Sequence, residues 1–347
     1  MSLLDLEYQE DKKFDWKKHI ISDSKIKDRA KKYRLGLIPV GMKCGIDIID
    51  DIVVMKPKEL HACTGKKGRG KTTIQQILFL MWAMANDLHC VMCLQENKKG
   101  LTRNVILGYL LGGDPQYFEK NNEELFNKVD NWISDHFTFL RVDTVKEACE
   151  TVKGIKESGR NVDLLFLDPI NSFDSGFSNT GNTHIDDKIT AMKLLRFTED
   201  FCATFVSQHP TMSGQRSEED VNSYSAEGGY ILNKADFTWA INRDNGSFNN
   251  RVSVDNNRNS YTGGNVTNPN NPLIIEWGAY SINAKISCTK TNTTITELDI
   301  IQQVRRRFNP FNEVNTTNNW IEEKELPKVS LSQAFDIEEE QDDFTPF

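Results

Sequence analysis

Gly65-Lys66-Lys67-Gly68-Arg69-Gly70-Lys71-Thr72, followed by Thr73, has the spacing G-x-x-x-x-G-K-[ST] of a Walker A phosphate loop. The glycines let successive backbone N–H groups turn inward around phosphate oxygens, Lys71 reaches the β- and γ-phosphates, and the Thr72 hydroxyl binds Mg²⁺. The chemistry needs a strand before the loop and a helix after it, because the helix N-terminus adds its positive dipole end to the same site. Both are legible: LHACT (60–64) is strand-like, and TTIQQILFLMWAMAN (72–86) has the length and composition of a buried helix. The loop predicts binding of a nucleoside triphosphate, read here as ATP with Mg²⁺.

Working outward, apolar strands alternate with helical stretches. HCVMCL (89–94), FTFLRV (137–142), VDLLFLD (162–168) and ATFVSQ (203–208) read as strands. Helical patterns near 102–111, at 146–158 and at 186–201 separate them, which implies βαβ units and a mostly parallel sheet. After Asn233 the chain turns strand-rich (DFTWAINRD, NRVSVDN, NPLIIEWG, YSINAKIS), predicting antiparallel additions at one sheet edge, and ITELDIIQQVRRRF (295–308) predicts an amphipathic helix.

In such sheets ligands bind beyond the carboxyl ends of the strands. Three strand ends supply candidates there: Asp168 to hold the magnesium with Thr72, Glu96 to polarise the attacking water, and Gln208 with His209 to sense the γ-phosphate. Asp163, at the opposite end of its strand, reads as a turn residue.

With 347 residues, 38% hydrophobic and 27% charged, the composition excludes a collagen-like or wholly disordered chain. No apolar run reaches the length of a membrane span, and acidic residues interrupt the N-terminus where a secretory signal needs an apolar core. A cytoplasmic protein is expected. The net charge of −8 is concentrated in the tail: nine acids against two lysines from Glu322 onward contribute −7. The body is therefore nearly neutral, which permits a nucleic-acid partner but not a broad basic footprint. The seven cysteines are scattered, as expected of reduced thiols. Cys90-x-x-Cys93 lies in a strand, where residues three apart face opposite ways, so it predicts no metal site.

Taken together the motifs resemble those of RecA-like hexameric helicases of the DnaB and Twinkle group. GLIPVGMKCGIDIID (36–50) looks like that group's first strand and turn; Glu96, LDPINSF (167–173) and VSQHP (206–210) match its ordered motifs. AEGGYILNKADFTWAINRD (226–244) and VDNNRNSYTGG (254–264) are similar to its later segments. The resemblance covers about residues 35–280 and implies a RecA-like P-loop ATPase core. It further implies a homo-oligomeric ring, usually of six subunits, with ATP bound between neighbours and Arg258 completing the adjacent subunit's site as an arginine finger. Family members often carry a Lys two residues before that arginine; here the position is Asn256.

In such rings, loops on the inner wall grip single-stranded DNA. The candidate segments are 173–184, with Asn179, and 211–227, with Ser213 and Arg216. Larger relatives carry a primase or zinc-binding domain and a helical collar; none is expected here, a layout that suggests a phage replication protein. Residues 1–34 are read as an arm by which one subunit hooks its neighbour through Trp16, Ile20 and Ile21, residues 35–310 as the ATPase/helicase domain, and 311–347 as a disordered acidic tail. The tail's end, EEEQDDFTPF, resembles that of bacterial single-strand-binding proteins, so Phe347 could dock a replication protein. The activity these readings imply is an ATP-dependent helicase motor in DNA replication. Its rivals are a RecA/RadA-like recombinase filament and a non-motor P-loop ATPase acting as loader or regulator.

Overall fold

The computed structural model describes residues 22–35, 41–96, 99–216, 220–221, 229–243, 246–258, 264, 267, 272–288, 293–308 and 310–311. Residues 1–39 with 317–347 form one unit and residues 40–316 another. In the first, the described element is α1 (Asp23–Arg34). Its exposed Asp23–Lys27 and Asp28–Lys32 pairs, four residues apart, support a solvated helix. Trp16, Ile20, Ile21 and the acidic tail with Phe347 lie outside the described residues.

The second unit begins with α2 (Asp47–Asp50), β1 (Leu60–Thr64), α3 (Lys71–Asn86), β2 (Cys90–Leu94) and α4 (Lys99–Leu111). It continues with α5 (Pro115–Asn121), α6 (Glu123–His136), β3 (Phe137–Leu140), α7 (Val145–Glu157), β4 (Leu164–Asp168), α8 (Thr183–Asp200) and β5 (Ala203–Gln208). Short helices α9 (Met212–Arg216) and α10 (Tyr230–Lys234) precede β6 (Phe237–Asn242), β7 (Asn250–Asn257), β8 (Leu273–Trp277), β9 (Ile282–Cys288), β10 (Thr293–Glu297) and α11 (Ile300–Phe308).

The strands form one sheet in the order β10-β9-β8-β7-β6-β1-β5-β4-β2-β3. From β6 to β3 the pairs are parallel, and from β6 to β10 antiparallel, as expected from the sequence. Burial of β1, β2, β4, β5 and β6 on both faces explains why they read as continuous apolar runs rather than alternating ones. One apolar layer holds Phe79, Trp82, Phe166, Phe205 and Trp239 beneath α3; the other holds Val91, Leu165, Leu167 and Val206 beneath α7 and α8. Cys90 lies in the first layer and Cys93 in the second, so the Cys-x-x-Cys pair straddles the sheet. Burial pushes the Cys93 thiol up to about 12. No helix among the described residues is long and apolar enough to cross a membrane.

The structure corrects three sequence readings. The helix expected over 295–308 starts only at Ile300; Thr293–Glu297 instead pairs antiparallel with β9, because Thr294, Ile295 and Thr296 are β-branched. In 36–50, residues from Gly41 make no strand beyond a single bridge, Met42 to Met55. The Asp50 carboxylate accepts from the Cys44 and Gly45 N–H groups, both at 2.8 Å, and curls the backbone into α2. Between β2 and β3, α5 and α6 went unread despite their starts: Asp114 caps α5 ahead of Pro115, and Asn122 caps α6.

Candidate functional site

Five buried residues of β1 deliver Thr64 to the phosphate loop, and the loop's backbone explains its glycines. A Cβ at Gly65 would stand 2.4 Å from the Ile241 carbonyl oxygen of β6, so only glycine fits there. Gly70, with φ of 86°, occupies the left-handed region just before α3, a conformation that costs other L-residues free energy.

Lys71 is buried and donates to the carbonyls of Gly65 (2.7 Å) and Lys66 (3.2 Å) and to His209 Nδ1 (3.3 Å). Because an ammonium only donates, Nδ1 is the acceptor and the imidazole proton sits on Nε2, which faces Glu96 Oε1 at 3.3 Å. Lys71, His209 and Glu96 thus form a chain, and the Asn171 side-chain oxygen fixes its middle member by accepting from the His209 backbone N–H at 3.1 Å. Burial lowers the Lys71 pKa, and the neighbouring Asp168 and Glu96 charges oppose that shift.

Asp168 ends β4 almost wholly buried. Its Oδ2 accepts from the Thr72 hydroxyl at 2.6 Å and its Oδ1 from the Ser207 hydroxyl. Burial raises the Asp168 pKa, while those two hydrogen bonds and Lys71 pull it back. A hydroxyl and one carboxylate side by side are hard oxygen donors in a small number, the set that suits Mg²⁺ sharing its shell with phosphates and water. Among the described residues no group of three or more His, Cys, Asp or Glu could cage a metal alone.

These residues line a cavity of about 460 Å³ at the carboxyl ends of the central strands. Its lining includes Lys67, Gly68, Arg69, Gly70, Lys71, Thr72 and Thr73 of the loop and the start of α3, Glu96, Asp168 and His209, and Leu101 and Val105 of α4. The sequence places Gln208 and His209 at the site together, but only His209, just past β5, lines the cavity. Gln208 does not line the cavity: it is buried beside Thr64, and its Oε1 has no partner among the described residues.

Arg258 is not in this cavity. Strand β7 runs antiparallel to β6, so its carboxyl end lies beside the amino end of β6, away from the cavity, where the Arg258 N–H donates to the Asp236 carbonyl at 2.9 Å and the guanidinium donates to the Asn233 carbonyl. Beside Arg258, buried Lys56 donates to Asn257 Oδ1 at 2.7 Å, and Asn257 Nδ2 donates to the Gly264 carbonyl at 2.8 Å. Asn256, at the position where the family often has lysine, sits opposite Thr238 in the ladder.

Asn179 is exposed in the turn that follows β4, a turn organised by Asp186, which accepts from the Ser178 hydroxyl at 2.7 Å. The candidate segment 173–184 ends sooner than read, since α8 starts at Thr183 on its Asn182 cap. In the other segment, exposed Ser213 and Arg216 fall on α9 instead of a loop, while 217–219 and 222–228 lie outside the described residues.

Three contacts had no signal in the sequence. Ser207 holds Asp168, Arg243 donates to the Gly68 carbonyl at 2.5 Å, and buried Asn250 donates through Nδ2 to the Arg69 carbonyl. Each comes from a strand end brought to the loop only by sheet order.

The chain matches no protein-family model and no curated protein. Among solved structures it is similar to an ATPase domain, at a TM-score of 0.57 and 12% identity over 74% of this chain and 94% of that one. It is also similar to a DnaB-like replicative helicase determined with its primase interactions, at a TM-score of 0.56 and 11% identity over 75% of this chain and 65% of that one. The chain therefore has the RecA-like fold of DnaB-type helicase ATPase domains.

Proposed function

We propose that this protein is an ATP-driven helicase motor that moves along single-stranded DNA and separates the duplex during replication, working as a ring of identical subunits, six in the usual case. The observation that carries this reading is the separation of the catalytic candidates between the two ends of the strands. Phosphate loop, Thr72, Asp168 and Glu96 share one cavity, while Arg258 lies outside it at the amino end of β6, which supports a role at a neighbour's nucleotide over one at its own.

Within the cavity, loop N–H groups and Lys71 hold the phosphates, and the Thr72 hydroxyl and Asp168 carboxylate would hold Mg²⁺, which supplies charge neutralisation at the β- and γ-oxygens. Glu96 orients the attacking water and takes up its proton, steadied by the imidazole of His209. Arg258 from the next subunit presents a planar, permanently charged guanidinium to the transferring phosphate. Asn179, Ser213 and Arg216 are assigned to DNA contact. The arm that begins the chain is assigned to subunit hooking.

The test is ATPase rate with and without single-stranded DNA, together with the particle mass in Mg-ATP. Stimulation by DNA in a ring-sized particle supports the motor. Filaments point to a recombinase, and a rate indifferent to DNA points to a switch; either overturns the proposal.

A further inference from the structure

We infer that Asn250, oriented by Trp277, is a positioning residue that sets the phosphate loop for nucleotide. This inference rests on the reading of the loop as a nucleotide site and extends it to residues outside the motif. Asn250 opens β7 and is fully buried. Trp277, at the end of β8, donates its indole Nε1–H to Asn250 Oδ1 at 2.6 Å.

An indole N–H can only donate, so that contact fixes which end of the amide is oxygen. The Nδ2 group must then face the other way, and it donates to the Arg69 carbonyl, with the Asn242 carbonyl at 3.5 Å as a second acceptor. In a trans peptide the C=O of one residue and the N–H of the next point in opposite directions. Drawing the Arg69 carbonyl toward β7 therefore aims the Gly70 N–H away from β7, toward the cavity that Arg69 and Gly70 line. The amide also stands where it polices the glycine: a Cβ at Gly70 would lie 3.2 Å from Asn250 Nδ2 and Oδ1. Trp277 is itself braced against Tyr109 of α4, with ring centroids 6.4 Å apart. The antiparallel edge of the sheet thus reaches back to shape the nucleotide loop of the parallel half.

Calorimetric titration of the full-length protein with Mg-ADP tests this, using wild type, Asn250→Asp and Trp277→Phe. The aspartate keeps the acceptor for Trp277 but turns an oxygen toward the Arg69 carbonyl, and should weaken ADP binding by about tenfold or more. Phenylalanine at 277 removes the orienting N–H while keeping an aromatic ring against Tyr109, and should weaken it by a smaller factor. A loop-specific role predicts that the ADP-induced rise in Tm shrinks in both variants while the ligand-free Tm of Trp277→Phe stays close to wild type. A general packing role would lower the ligand-free Tm and leave the increment intact, which overturns the inference. Wild-type ADP affinity in Trp277→Phe overturns it too, even if Asn250→Asp fails to fold. A wild-type protein that binds no ADP would instead overturn the nucleotide-site reading, and this inference with it.

Discussion

Arg258→Ala and Lys71→Ala should each abolish ATP hydrolysis, yet subunits of the two variants mixed before ring assembly should hydrolyse ATP together. The geometry supplies the reason. Arg258 is tied to Asp236 at the start of β6, and the Asp236 carboxylate accepts from Leu60 N–H at the start of β1 at 3.0 Å, so arginine and phosphate loop are separated by the length of β1. At roughly 3.3 Å per residue, its five residues span about 16 Å. At that distance a cis contact with the γ-phosphate is excluded, and loss of an arginine finger costs about 10³-fold or more in rate. In a 1:1 mixture, a site is complete only when its loop comes from Arg258→Ala and its arginine from Lys71→Ala. That combination occurs at about one interface in four in a head-to-tail ring. Phosphate release by the mixture should therefore approach about a quarter of the wild-type rate if interfaces act independently, and less if they act in concert, against about a thousandth for either variant alone. A mixture no faster than its two components, or an Arg258→Ala protein with near wild-type rate, would refute the shared site.

Three further outcomes follow from the same geometry. Glu96→Gln should bind ATP normally while its turnover falls by about 10²- to 10⁴-fold; comparing binding by titration with phosphate release checks this. Gly65→Ala forces a methyl group against the Ile241 carbonyl at 2.4 Å and should cost about 1–3 kcal/mol of stability together with ADP affinity, read by thermal melts with and without ligand. His61 is buried against Phe205, and burial pushes its pKa from 6.5 down to about 3, so it is neutral in the fold and protonates readily only on unfolding. Its stabilising contribution is complete above pH 6.5 and is lost as pH falls toward 3. Between about pH 7 and about pH 5 that loss amounts to roughly 2 kcal/mol, and His61→Leu should flatten this part of the denaturation profile; an unchanged profile refutes the assignment.

More of the candidate site than of the outline around it was legible in the sequence. Lys71, Thr72, Asp168, Glu96 and His209 could be singled out because each sits at the end of a buried strand or in a loop whose chemistry dictates its residue types, and the fold brings all five to one cavity. Of the adjacent pair Gln208 and His209, only His209 lines the cavity, because Gln208 is still part of buried β5 while His209 follows it. Strand β10 was missed because the amphipathic period of α11 was extended backward over Ile295 and Thr296. Asn250, Trp277 and Arg243 could not be read at all: polar and aromatic residues in or just past an antiparallel strand look alike whether they face solvent or a phosphate loop. Only the order β8-β7-β6-β1 shows which of them meet it.

That order has a mechanical consequence. The eight residues of β7 begin at the amide that grips a subunit's own phosphate loop and end beside the arginine assigned to the next subunit. At about 3.4 Å per residue, this rod of roughly 27 Å is stiff along its length, while the register shift between Thr238 and Trp239 gives its pairing with β6 one place to give. If subunits pair head to tail as proposed, β7 would be the stiff connection between a subunit's own nucleotide loop and the arginine offered to its neighbour.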